Sequence, residues 1–214
     1  MDPKRKRTRG LPVTRLETLA DGVFAIVMTI LVLDLRVPEV IGPGGLAGDL
    51  AALWPRFATY FISFIVLGIY WFAQHQIFHF LARVNRTLVW LNIVFFMGVA
   101  LTPFAASLLG KYPEDRVALA FYGILLALLA LLGYAIWWYM TGDRGLVDME
   151  LDPKLVRKVR IWFLGGPAAT LLAIGLAFVN TFLSLLVYII LPAIYIFLNP
   201  VDRYLAELRR EGIG

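Results

Sequence analysis

Several stretches of this 214-residue chain run for about 20 apolar residues, the length a helix needs to cross the hydrocarbon core of a bilayer. That feature limits the available folds more than any other. Hydrophobic residues make up 60% of the chain and charged residues 16%. A soluble domain of this size carries more charge and less apolar content. The chain therefore reads as an all-α integral membrane protein, a single bundle of six transmembrane helices joined by short loops.

The spans read as roughly 14–36, 47–81, 85–110, 114–141, 153–179 and 181–199. Pro38 ends the first and Asn199-Pro200 the last. The second is long enough to include an interfacial start before Trp54-Pro55. Gly165-Gly166-Pro167 marks an expected kink in the fifth. Basic residues cluster in the N-terminal tail (Lys4, Arg5, Lys6, Arg7, Arg9), at Arg83 and Arg86, over 144–160, and at Arg203, Arg209 and Arg210. With six spans these segments fall on one side, and the opposite loops are poor in Lys and Arg. The positive-inside rule then puts both termini in the cytoplasm. The expected layout is a basic tail over 1–13, a membrane domain over 14–200 and a cytoplasmic tail over 201–214.

The formal charge of +5 does not require nucleic acid as a partner. In a chain that is mostly membrane helix, the basic run serves as a topology anchor. The apolar stretch after it is too long for a signal peptide and lacks a small-residue cleavage site. No cysteine is present, which excludes disulfides, thiolate metal sites and Cys nucleophiles. The two histidines, His75 and His79, cannot complete a tetrahedral zinc site by themselves. Neither a cofactor nor a resident metal is expected, and no chemical step is implied.

The first span, RLETLADGVFAIVMTILVLDLRVPEV, carries Asp21 inside its apolar run and Glu17 one turn earlier. An acid at membrane depth is a functional-site hypothesis by default. At about 1.5 Å of rise per residue, Asp21, His75 and Asn92 reach similar depths, roughly 9 to 12 Å from the cytoplasmic ends of their helices. Trp71 lies one turn from His75, and Arg15 and Glu17 can join from the rim. These residues suggest an interhelical polar network in which donors satisfy Asp21. A proton relay or cation-coupling site is the sharper alternative.

Turning the helix by about 100° per residue separates two faces. Glu17, Asp21 and Phe24 share one, turned into the bundle of the subunit itself. Gly22, Ile26, Thr29, Ile30 and Leu33 share the other. This second stripe faces either lipid or the same helix of other subunits around an axis. In the latter arrangement its branched apolar side chains would narrow a pore that gates by dewetting.

The pattern R-x-x-x-x-x-D-G-V-F-A-I-x-x-T-x-L-V-L-D-L-x-x-P, with YWFAQHQIF (70–78) and WLNIVFFMGVALTPFAASLLG (90–110), resembles the bacterial members of the transmembrane protein 175 family of potassium channels. The resemblance implies a homotetramer in the bacterial plasma membrane, with the first helix of each chain lining the pore and no TVGYG-type filter. It places the constriction at Ile26, with further apolar rings at Ile30 and Leu33, a family threonine at Thr29, and the motif-anchoring pair at Arg15 and Asp21. Where the family has Phe-Ser-Asp, this chain has Leu19-Ala20-Asp21, so the serine hydroxyl is missing. Gln74 replaces a frequent second histidine. The expected function is a K⁺-permeable channel with modest selectivity, whose partners are K⁺, lower-ranked monovalent cations, the bilayer and other copies of itself. A proton- or cation-coupled transporter using Asp21 and His75 is the alternative.

Overall fold

A computed structural model of the chain describes residues 12–38, 44–142, 146–147 and 152–197. Helix α1 spans Val13–Ile30 and continues as a 3-10 turn, Leu31–Asp34. A short helix α2 (Gly45–Ala52) precedes α3 (Trp54–His79). Then follow α4 (Arg86–Lys111), α5 (Arg116–Met140), α6 (Pro153–Ala177) and α7 (Thr181–Phe197). The basic tail before residue 12, Arg144 and all residues after 197 lie outside the described residues.

Helices α1, α3, α4, α5 and α6 are long and apolar enough to cross a membrane, and α7 is a shorter apolar helix. The chain is a multi-pass membrane protein. The segment expected as one helix over 47–81 is two, with the break at Leu53. Pro55 sits at the start of α3, where its missing N–H costs nothing but could not have continued the preceding helix. Across 165–167, by contrast, α6 remains one helix.

The starts of α4, α5, α6 and α7 are capped by polar side chains. Asn85 Oδ1 accepts from the Leu88 N–H, Asp115 from Val117 and Ala118, Asp152 from Lys154, and Asn180 from Phe182 and Leu183. Each satisfies backbone donors that the first helical turn leaves unpaired. Beyond α5, Leu146 lies against the end of α3, with the Ala82 N–H donating to its carbonyl at 2.9 Å.

Neighbours in sequence pack side by side from α3 through α7, and α7 returns against α3. Helix α1 lies apart from α5–α7, against α3 and α4. In lipid, apolar surface gives no drive for helices to associate, so close backbone approach at small residues matters. Gly98 is such a point, because a Cβ there would meet Leu129 Cδ2 at 2.8 Å. Gly123 is another, facing the Tyr188 hydroxyl and Ile174 where α5, α6 and α7 converge. Buried hydroxyls find partners across the helices: Ser63 and Tyr122 lie 3.0 Å apart, and Tyr188 donates to the Leu119 carbonyl.

Candidate pore helix and its polar anchors

The packed side of α1 is Leu16, Ala20, Phe24, Val27 and Leu31, all buried. Their spacing of three, four and seven residues makes one face of a helix. Phe24, at 1% exposure, packs against Phe95 of α4 with ring centroids 6.4 Å apart. The open side is Gly22, Ile26, Thr29, Ile30 and Leu33, all exposed, with Ile26 at 60% and Leu33 at 69%. Among the described residues this stripe stays open. The Thr29 hydroxyl donates to carbonyls of its own helix, Ile26 at 2.8 Å and Ala25 at 3.0 Å. Its proton is thereby directed to the backbone, leaving the oxygen lone pairs for whatever stands on that face.

Asp21 sits at the flank of the packed face rather than inside the bundle. Its residue is exposed, and Trp71 Nε1 of α3 donates to its Oδ1 at 2.8 Å. The Trp71 and His75 rings stack at 6.0 Å, and His75 Nδ1 lies 3.6 Å from Glu17 Oε1. Asp21, Trp71, Glu17 and His75 therefore form a seam along the α1–α3 edge.

Asn92 does not join that seam. It is fully buried, accepts from Gln74 Nε2 at 3.1 Å and donates to the Leu88 carbonyl. Gln74 and Asn92 are thus a second contact, between α3 and α4. The Arg15 side chain makes no hydrogen bond or ion pair among the described residues. The residues expected to form one network divide into an exposed seam, a buried amide pair and an arginine with no side-chain partner among the described residues. The reason is rotation: Trp71 and His75 are one turn apart on the α1 side of α3, while Gln74 is turned toward α4.

Ala20, in the place of the family serine, is buried and brings no hydroxyl into this interface. Gln74 Oε1 is buried without a hydrogen-bond partner among the described residues.

A further anchor holds the other end of α1. The Ser107 hydroxyl of α4 donates to Asp34 Oδ1 at 2.6 Å. Asp34 lies one turn before Pro38, and Ser107 one turn before Lys111.

Among known proteins, the family described as the endosomal/lysosomal potassium channel TMEM175 matches residues 15–103. A protein of Streptomyces collinus named as a potassium channel is 42% identical over 185 residues, covering 85% of this chain and 90% of the relative. The chain belongs to the TMEM175 family. The crystal structure of a TMEM175 homolog from Chamaesiphon minutus, described as a lysosomal potassium-selective channel, matches with a TM-score of 0.77 and 30% identity. That match covers 86% of this chain and 95% of the homolog. Human TMEM175, named as an endosomal/lysosomal proton channel, is 35% identical over 114 residues, which span 48% of this chain and 23% of the human one. The TMEM175 signature thus falls on α1 to α4, the helices that carry the open stripe and its anchors.

Proposed function

We propose that four copies of this chain form a potassium-permeable cation channel in the bacterial plasma membrane, with α1 of each copy lining the pore. Each subunit crosses the membrane six times, α7 being the sixth span, and both termini are cytoplasmic. Ile26, Ile30 and Leu33 form successive apolar rings, with Ile26 the constriction, and Thr29 supplies the polar atoms between them. The observation that carries this reading is the unpacked stripe itself: four branched or hydroxylated side chains in line on the face of α1 that its own subunit leaves open. Membership in a family described as potassium channels, and a structural homolog described as potassium-selective, add the function class.

Such a wall works without a carbonyl filter. Isoleucine cannot replace the hydration shell of an ion as a ring of carbonyls does, so passage depends on wetting of the constriction and selectivity is modest. The Thr29 oxygens, with their protons held by the helix backbone, face the ion as acceptors. In this reading Asp21 keeps α1 at a fixed rotation against α3 and does not meet the ion. A coupled transporter would need a polar cavity near the midplane, typically formed by broken helices. The Gly165-Gly166-Pro167 stretch, the sequence feature nearest to such a break, lies within one continuous helix, α6.

The test is ion flux in liposomes holding the purified protein. Downhill K⁺ permeation without a second substrate is expected. Flux that appears only with an imposed proton gradient would favour the transporter and overturn the channel.

A further inference from the structure

Between α3, α5, α6 and α7 the subunit encloses a cavity of about 90 Å³, on the side of α3 away from α1. Its walls are chiefly apolar, with Val66, Ala73, Leu126, Ala130, Val159 and Leu191 among them. The hydroxyls that reach it already direct their protons to backbone carbonyls, and Gln76, the amide in its wall, has a partner of its own. Tyr70 donates to the Leu126 carbonyl, Thr170 to Gly166, Tyr188 to Leu119 and Tyr195 to Trp162, at 2.9 to 3.0 Å. A buried water needs two to four polar partners. These walls favour an apolar occupant instead.

The cavity has a side opening. It shares Ile69 and Tyr195 with a shallow groove between α3 and α7, completed by Ile65, Gly68, Phe72 and Ile196. Ile65, Phe72 and Ile196 are exposed, and among the described residues a Cβ on Gly68 would meet open space beyond its own helix. In a membrane-spanning bundle such a face meets hydrocarbon. A void also forfeits the dispersion contacts of the atoms lining it, so a flexible chain that enters from the groove recovers them.

We propose that this is a side-entry site for one acyl chain of a bilayer phospholipid, which passes between α3 and α7 over Ile69 with Tyr195 at the portal. The volume sets the class of guest. It is smaller than the apolar cavity of about 150 Å³ known to admit benzene, so it takes the end of a single chain and not a headgroup. The site rests on α3 and α5–α7 alone and does not depend on the channel reading.

The test uses full-length protein in liposomes of a phosphatidylcholine carrying a photoreactive diazirine at the chain end, with adducts mapped by mass spectrometry. Adducts are expected on buried wall residues such as Val159 and Thr170, as well as on the lipid-facing Leu171 and Leu172. Filling the cavity with Ala73→Phe, or independently with Leu191→Phe, should abolish the interior adducts and keep those at Leu171 and Leu172. Adducts confined to Leu171 and Leu172 in the unaltered protein would overturn the proposal. So would interior adducts that persist in both filled variants. A filled variant that melts higher, with no interior adduct in the parent, would identify a dry void and overturn it too.

Discussion

The two faces of α1 are held by different things. Leu16, Ala20, Phe24, Val27 and Leu31 are fixed by contacts inside one subunit, and their identities follow from packing. Ile26, Thr29, Ile30 and Leu33 lie outside the buried core, yet they include long branched residues in a regular file. A face that its own subunit leaves largely exposed is free to be shaped by what passes along it or docks on it. The contrast separates stability from transport: changes on the packed face should act on folding first, and changes on the open face on flux first.

The hardest blow to that contrast comes from Phe24→Ala. Removing a fully buried ring costs about 3–5 kcal/mol. Thermal melts followed by size-exclusion should show a large loss of the folded species, while Ile26→Ala should melt close to the parent protein. Equal destabilisation by both would break the distinction.

The flanking seam should give a smaller effect. Asp21→Ala leaves Trp71 Nε1 without its acceptor, and interhelical polar contacts in membranes are worth roughly 0.6 to 1.7 kcal/mol. Trp71→Phe should cost a similar amount, and the double variant little more than either alone. Asp21→Asn keeps an acceptor and should hold both assembly and K⁺ flux near the parent level. Strong loss of flux in Asp21→Asn with normal assembly would instead indicate that the charge itself takes part in transport.

The smallest shift is expected at the other end of α1. Ser107→Ala removes the donor to Asp34 and should lower the melting temperature by the equivalent of about 0.5–1 kcal/mol, with the K⁺/Na⁺ preference unchanged. A change in ion preference without a change in melting would show that this pair shapes the outer mouth and does not only brace the helix.

Depth and rotation made much of α1 legible in the sequence. Counting residues from the helix ends puts Asp21, His75 and Asn92 at similar depth, whereas the contacts run one turn off, Asp21 to Trp71 and Glu17 to His75; turning by about 100° separates Phe24 from Ile26. Rotation of α3 was not available from one helix's pattern, because α3 is apolar nearly all round. Asn92 was therefore assigned to the Asp21 seam when it faces Gln74. The Asp34–Ser107 pair is hidden because depth counted from the basic helix ends reaches only one face of the membrane. The break at Leu53 needed a decision about Pro55 that hydropathy alone does not make. Turn and cap chemistry was clearer, since Asp152 and Asn180 stand where short polar side chains end a loop and begin a helix.

The central claim is that Ile26 is the narrowest point of the path. It is tested most directly by recording Ile26→Asn channels in planar bilayers, with K⁺ on one side and Na⁺ on the other. A polar side chain at that ring should wet the constriction, raise conductance and move the reversal potential toward zero as Na⁺ enters, with melting unchanged. Conductance and reversal potential equal to those of the parent protein would contradict the assignment of Ile26 as the constriction.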